Sequence, residues 1–149
     1  MTSQAKDKVP LTKEYIKKAF SYLEEVDDLD KRNIFFTKYM IEDVTWEITG
    51  RGHRLVGTRH SIAEHNAASF ARVRERITSA IKFVVRNIIL DNESRTACIE
   101  LFGYSEQLDG ERYDNDYSWT TQWNDEGKIC FVRSYYDTNL TERLLDKSF

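Results

Sequence analysis

Two periodicities take turns along this chain. Near the start, Leu11, Tyr15, Ala19, Tyr22 and Val26 recur every three or four positions, and Ile16, Phe20 and Leu23 do the same. That spacing lays a broad apolar stripe along one side of a helix. Asp27, Asp28 and Asp30 interrupt it, and Leu29, Ile34, Phe35, Tyr39 and Met40 begin a second helical pattern. The period then drops to two in "DVTWEITG". Val44, Trp46 and Ile48 face one way, and Thr45, Glu47 and Thr49 the other, as on a strand. Gly50, Gly52 and Gly57 mark an open loop. "SIAE", Ser61 to Glu64, is a capping box that starts a third helix running to about Arg76.

Strand patterns fill the rest. "AIKFVVRNIIL" is apolar on both faces, as a central strand is, and "RTACIELFGYSEQ" follows it. Leu108-Asp109-Gly110-Glu111 is a hairpin turn, and Asn124-Asp125-Glu126-Gly127 a second. "KICFVRSYYDT" is the last strand. Residues 1–10 read as a disordered lead, 11–140 as one domain, and 141–149 as a short C-terminal tail with room for one helical turn. No internal repeat appears. The expected fold class is therefore α+β: a strongly curved, mostly antiparallel sheet wrapped around three helices, forming a cone-shaped pocket.

The penultimate strand raises a chemical question. Tyr113, Asn115, Tyr117, Trp119, Thr121 and Trp123 alternate with Asp114, Asp116, Ser118, Thr120 and Gln122. The first set forms a buried face of rings that also carry hydroxyls, indole N–H groups and one amide. Each such group needs a partner when buried. A half-wet pocket lined by those rings supplies one answer. Rings packed under the helices, with polar atoms at the rim, supply the other.

Composition narrows the partners. The chain has 149 residues, a net charge of −3 and 32% charged residues, which gives no basic footprint for nucleic acid. No apolar run approaches the ~20 residues that cross a bilayer, and residues 1–10 lack the apolar core of a signal peptide. Cys98 and Cys130, the only cysteines, sit in strand-like runs and are expected to be reduced core residues. The expected compartment is the cytoplasm. No metal site is expected, because His60 and His65 are five apart with no ligand spacing around them. No glycine-rich phosphate loop follows a strand. His60 and His65 are expected at the surface.

"DVTWEITGRGHRLVG" (43–57), "SIAEHNAASFARV" (61–73), "GERYDNDYSW" (110–119) and "DEGKICFVRSYYDT" (125–138) occur in this order. Together they resemble the SnoaL-like branch of the nuclear-transport-factor-2-like superfamily, and most of all its fungal members. The resemblance spans roughly Leu11 to Leu140. It implies a pocket in the mouth of the cone, a small-molecule substrate, no cofactor, and homodimerisation through an outer sheet face carrying Thr96, Cys98, Glu100, Phe102 and Tyr104. The fold hosts isomerases, cyclases, dehydratases, epoxide hydrolases and binding proteins.

The ketosteroid isomerase constellation is not repeated. Trp119 stands where its protonated Asp belongs, Phe20 where its helical Tyr belongs, and Ile48 or Glu47 at the base. The histidine pair of scytalone dehydratase has no match between Ala80 and Trp123. Other candidates remain. His53 is either an exposed loop residue or a general acid–base. Glu64 either closes the capping box or projects into the cone mouth. Arg133 either pairs with Asp137 or Glu100, or points inward to hold an enolate. Asn115 would help hold the oxyanion, and Asp43 caps a turn or serves as a base. Trp46, Tyr113, Tyr117, Trp119, Tyr135, Phe20 and Asp43 are the candidate substrate contacts. The function expected is a tailoring enzyme of secondary metabolism. It would isomerise, cyclise or rearrange a polycyclic, polyketide-, terpenoid- or indole-derived intermediate by acid–base catalysis. A hydrolase or dehydratase with water poised by Asp43 or Glu64, and a non-catalytic binding or assembly protein, are the alternatives.

Overall fold

The computed structural model describes residues 7–24 and 29–149. The first stripe becomes α1, Lys13–Ser21, capped by Thr12, whose hydroxyl accepts the Tyr15 amide at 3.0 Å. It buries Ile16, Ala19 and Phe20, with Leu23 just beyond its end. Val26, Asp27 and Asp28 lie outside the described residues. In the described part of the lead, the Val9 amide is bonded to Asp125 O at 2.9 Å. The second pattern becomes α2, Leu29–Lys38, which buries Phe35.

Six strands form one sheet: β1 (Met40–Ile48), β2 (Gly57–Arg59), β3 (Lys82–Asp91), β4 (Thr96–Glu106), β5 (Arg112–Trp123) and β6 (Ile129–Tyr136), in the order β2-β1-β6-β5-β4-β3. Only the β1–β6 pair is parallel, with Trp46 opposite Val132 and Ile48 opposite Ser134. That pair returns the chain's end to its first strand and fixes which side of each faces the helices. β2 lies where the sequence shows only an open loop, and it is held by pairing to the edge of β1. The two hairpins form as the Asp-Gly and Glu-Gly pairs predict, with Gly110 at φ +90° and Gly127 at φ +77°. The mixed α+β class and the curved sheet over helices stand as expected.

Three local features differ from the pattern. The third helix is not continuous to Arg76. It runs as α3 (Ile62–His65), a π-helical turn over Asn66–Phe70, and α4 (Ala71–Arg74). Such turns insert a residue and re-aim the faces on either side; here His65, Ser69 and Val73 are the buried side chains. Second, the tail is not one turn but a nine-residue helix, α5 (Thr138–Asp146), capped by Asp137 and burying Thr141, Leu144 and Leu145. The apolar positions are too few to announce a helix, and the sheet end supplies the surface that stabilises it. Exposed ion pairs flank α5: Arg54 with Glu142 and Asp146, and Lys147 with Asp109 at 2.9 Å and Glu111 at 2.8 Å. Third, the cysteines are free but not core. Both are half-buried, and Cys98 Sγ lies 3.1 Å from Ser118 Oγ on the outer face of the sheet.

Gly103 lies on the inner face of β4 opposite Asn115, where side chains press close to its backbone. A Cβ there would lie 2.7 Å from the Tyr117 ring, 3.0 Å from Ile81 and 3.1 Å from Phe83. The Tyr117 ring must therefore shift to admit a methyl group. We expect Gly103→Ala to lower stability by about 2 kcal/mol, the usual cost of overpacking. Urea unfolding measures it; an unchanged midpoint would show that the ring moves freely.

Candidate functional site

β5 points the expected residues inward: Tyr113, Asn115, Trp119, Thr121 and Trp123 are buried. The space they face is not the expected open chamber. The Trp119 ring packs 5.1 Å from Trp46, 5.1 Å from Phe83 and 5.9 Å from Phe20 (centroid distances), and fills most of the cone. What remains is a cavity of about 30 Å³, lined by Trp46, Leu55, Tyr113, Tyr117, Ser134 and Tyr136 among others. That is room for about one water molecule.

Much of the polarity on β5 is satisfied by the protein itself. Thr121 donates to Ala97 O at 2.7 Å and accepts from Trp123 Nε1 at 2.8 Å. The Tyr113 and Thr141 hydroxyls are 2.6 Å apart, which ties α5 to the sheet. Asn115, expected to meet a ligand, instead clasps the backbone of Asp137: its amide donates to Asp137 O at 3.0 Å and its carbonyl accepts Asp137 N–H at 3.3 Å. It holds the junction between β6 and α5.

A second space lies on the other side of the inner wall, between α2 and the α3–α4 segment. It measures about 860 Å³, within the range of small-molecule sites. Phe36, Ile62, Phe70, Ile77, Ile81 and Phe83 supply its apolar surface. His65, Phe70, Val73 and Ile81 line both spaces and so form the partition between groove and cavity.

His65 is the residue the sequence pattern misplaced. It is buried, not at the surface, and its ring stacks on Trp46 at 3.9 Å with an 11° tilt, edge-on to Phe70 at 4.9 Å. Neither ring nitrogen has a hydrogen-bond partner among the described residues, nor does Trp46 Nε1 or the Tyr136 hydroxyl. Burial, with the Arg59 charge adding to it, pushes the His65 pKa down to about 3, so the ring is neutral near pH 7. Its signal was present in the spacing: His65, Ser69 and Val73 follow Ile62 at helical intervals. Burial, and then neighbouring tyrosines, also raise the pKa values of Tyr117 and Tyr136, which keeps both as hydroxyl donors.

The four candidate catalytic residues do not converge. His53 stands at the rim, half-buried, edge-on to Tyr136 at 6.3 Å, with Nε2 2.7 Å from Thr49 O. Glu64 is exposed; its amide donates to Ser61 Oγ and its carboxylate accepts the His60 amide at 3.2 Å, so it closes the cap. Arg133 faces outward, because the inner side of β6 carries Val132 and Ser134. Its Nε meets Glu47 Oε2 at 2.5 Å, a partner that the parallel β1–β6 pairing places opposite it. Tyr135 shares that outer side and is half exposed, and Asp43 is exposed on β1. Phe20 is core, beneath Trp119, and lines neither space. Trp46, Tyr113, Tyr117 and Trp119 all line the small cavity.

Among the described residues no cluster of His, Cys, Asp and Glu could hold a metal ion, and no helix is long and apolar enough to cross a membrane. No family model matches the chain, and no curated protein matches it. Solved structures do. A nuclear-transport-factor-2-like protein of unknown function from Burkholderia pseudomallei superposes with a TM-score of 0.66 at 13% identity, over 90% of this chain and 96% of its own. TerC, crystallised with polyporic acid, gives 0.64 at 21% identity, over 90% and 97%. SalBIII, an epoxide hydrolase/cyclase-like enzyme of pyran ring formation in salinomycin, gives 0.61 at 15% identity, over 85% and 91%. The fold is therefore nuclear-transport-factor-2-like.

Proposed function

We propose that this protein takes a small, largely apolar organic molecule into the groove between α2 and α3–α4 and isomerises or cyclises it by proton transfer. The observation that carries this reading is His65. It is a neutral imidazole whose two nitrogens have no hydrogen-bond partner among the described residues, set in the wall between an 860 Å³ groove and a hydroxyl-lined cavity. A neutral imidazole N–H is suited to polarise a carbonyl, and it does so best where water is excluded. The Tyr136 hydroxyl, in the cavity behind that wall, also lacks a partner among the described residues. Such chemistry suits a tailoring step on an enolisable intermediate. Two structures of this fold support it: TerC, co-crystallised with polyporic acid, and SalBIII, an epoxide hydrolase/cyclase-like enzyme.

The filled cone favours a second reading, a protein that holds such a molecule without changing it. One experiment separates the two. The protein is incubated in D2O with 2-indanone, an apolar carbon acid, and exchange of its α-protons is followed by NMR. Acceleration over buffer, reduced at least tenfold by His65→Phe, supports proton transfer. Quenching of tryptophan fluorescence with only background exchange would leave the binding reading in its place.

A further inference from the structure

The apolar groove is bordered by unequal charge. Three cationic side chains line it, Arg32, Arg74 and Lys128, against one acid, Glu42. The cations are not equivalent. Arg32 is largely buried and donates to Leu23 O at 3.2 Å and Ile81 O at 2.9 Å, stitching α2 to the start of β3. Arg74 donates to Ile77 O at 2.7 Å and Thr78 O at 3.4 Å, closing the turn after α4. Both are committed to the frame. Lys128 makes no side-chain hydrogen bond or ion pair with the described residues. Its backbone is nevertheless held firmly: its amide donates to Asn124 Oδ1 at 2.9 Å, and the next residue, Ile129, donates to Tyr39 O at 2.7 Å. Lys128, half-buried as a residue, thus stands on a fixed backbone beside an apolar groove, with no ion-pair partner among the described residues.

An ammonium beside hydrocarbon surface gains more from an anion than one standing in open water does, because less water screens the pair. We propose that the groove selects an apolar monocarboxylate: the carboxylate sits on Lys128, and the hydrocarbon runs over Phe36, Ile62 and Phe70 towards Ile81. This rests on the reading of the groove as a small-molecule site, and it adds the ligand's charge and direction. Bound this way, the ligand passes over the partition that carries His65.

Decanoic acid and decan-1-ol test it, since they share a chain and differ at one end. Calorimetric titration of the full chain is expected to show the acid binding about tenfold more tightly than the alcohol. Lys128→Met should abolish that preference, and Lys128→Arg should keep it; thermal melts of both variants verify folding. Equal affinities for acid and alcohol would overturn the proposal and leave the groove standing as a neutral site. A preference that persists in Lys128→Met would overturn it too, because the anion would then be read elsewhere. Absence of binding by either compound would overturn both this proposal and the groove reading. A failed exchange experiment with 2-indanone does not touch it.

Discussion

Acidifying this protein from pH 7 to about pH 4 is expected to cost about 3 kcal/mol through His65 alone, and His65→Phe is expected to remove that loss. The folded ring resists protonation until about pH 3, whereas the unfolded one takes a proton near the ordinary histidine value. Above that ordinary value both states are neutral and stability is unaffected. As pH falls below it, the unfolded state binds a proton that the folded state refuses. Stability then declines by about 1.4 kcal/mol per pH unit, and the decline levels off only below about pH 3. The Arg59 guanidinium, whose donors hold the carbonyls of Leu55 at 2.6 Å and Gly57 at 3.2 Å, sharpens the effect by repelling an imidazolium. Phenylalanine preserves the stack on Trp46 and titrates nothing. Urea unfolding of both proteins at several pH values isolates the histidine, because all other groups contribute equally to the two series. Parallel pH dependences would show that His65 finds a proton acceptor or solvent in the folded state. The neutral-donor role would then fail with it.

The second large effect concerns the ring that fills the cone. Trp119→Ala is expected to destabilise the fold by about 4 kcal/mol, as large-to-small changes of a buried tryptophan do. Trp119 sits between Trp46, Phe20 and Phe83, so its loss removes packing from β1, α1 and β3 together. The enlarged cavity would retain apolar walls and the Tyr113–Thr141 hydroxyl pair. Millimolar indole should then bind and recover part of the lost stability, raising the thermal midpoint of the variant but not of the wild type. No rescue by indole would mean that the surrounding helices collapse into the vacated space. That outcome would show the cone to be a compliant core and not a latent chamber.

These two residues also show how far the chain could be read before its fold was known. Trp119 was legible as inward-facing, because a period of two assigns faces without any knowledge of partners. Whether its face met a ligand or other rings was not legible. That depends on Phe20 and Phe83, brought from 99 and 36 positions away in a chain of 149 residues. Asn115 was rightly marked as a buried amide needing a partner, yet its partner is the Asp137 backbone, 22 positions on, placed there by the β5–β6 pairing. For Arg133 the alternation was clear and its sign was not. Either face of β6 reads as moderately apolar, and only the parallel pairing with β1 shows that Arg133 shares a side with Glu47.

Local chemistry in the chain was enough to determine the five longer strands, the two glycine turns, the Ser61 cap and the α+β class, because periodicity, φ preference and capping act over a few neighbouring residues; β2 was not legible. Tertiary structure alone decided that the cone is filled, that His65 lies neutral in a shared wall, that the tail winds into α5, and that Lys128, without an ion-pair partner among the described residues, borders the groove. Each of these is a matter of which distant surfaces meet and how much water they exclude. Burial, desolvation and charge pairing are properties of those meetings, and no single segment of the chain carries them.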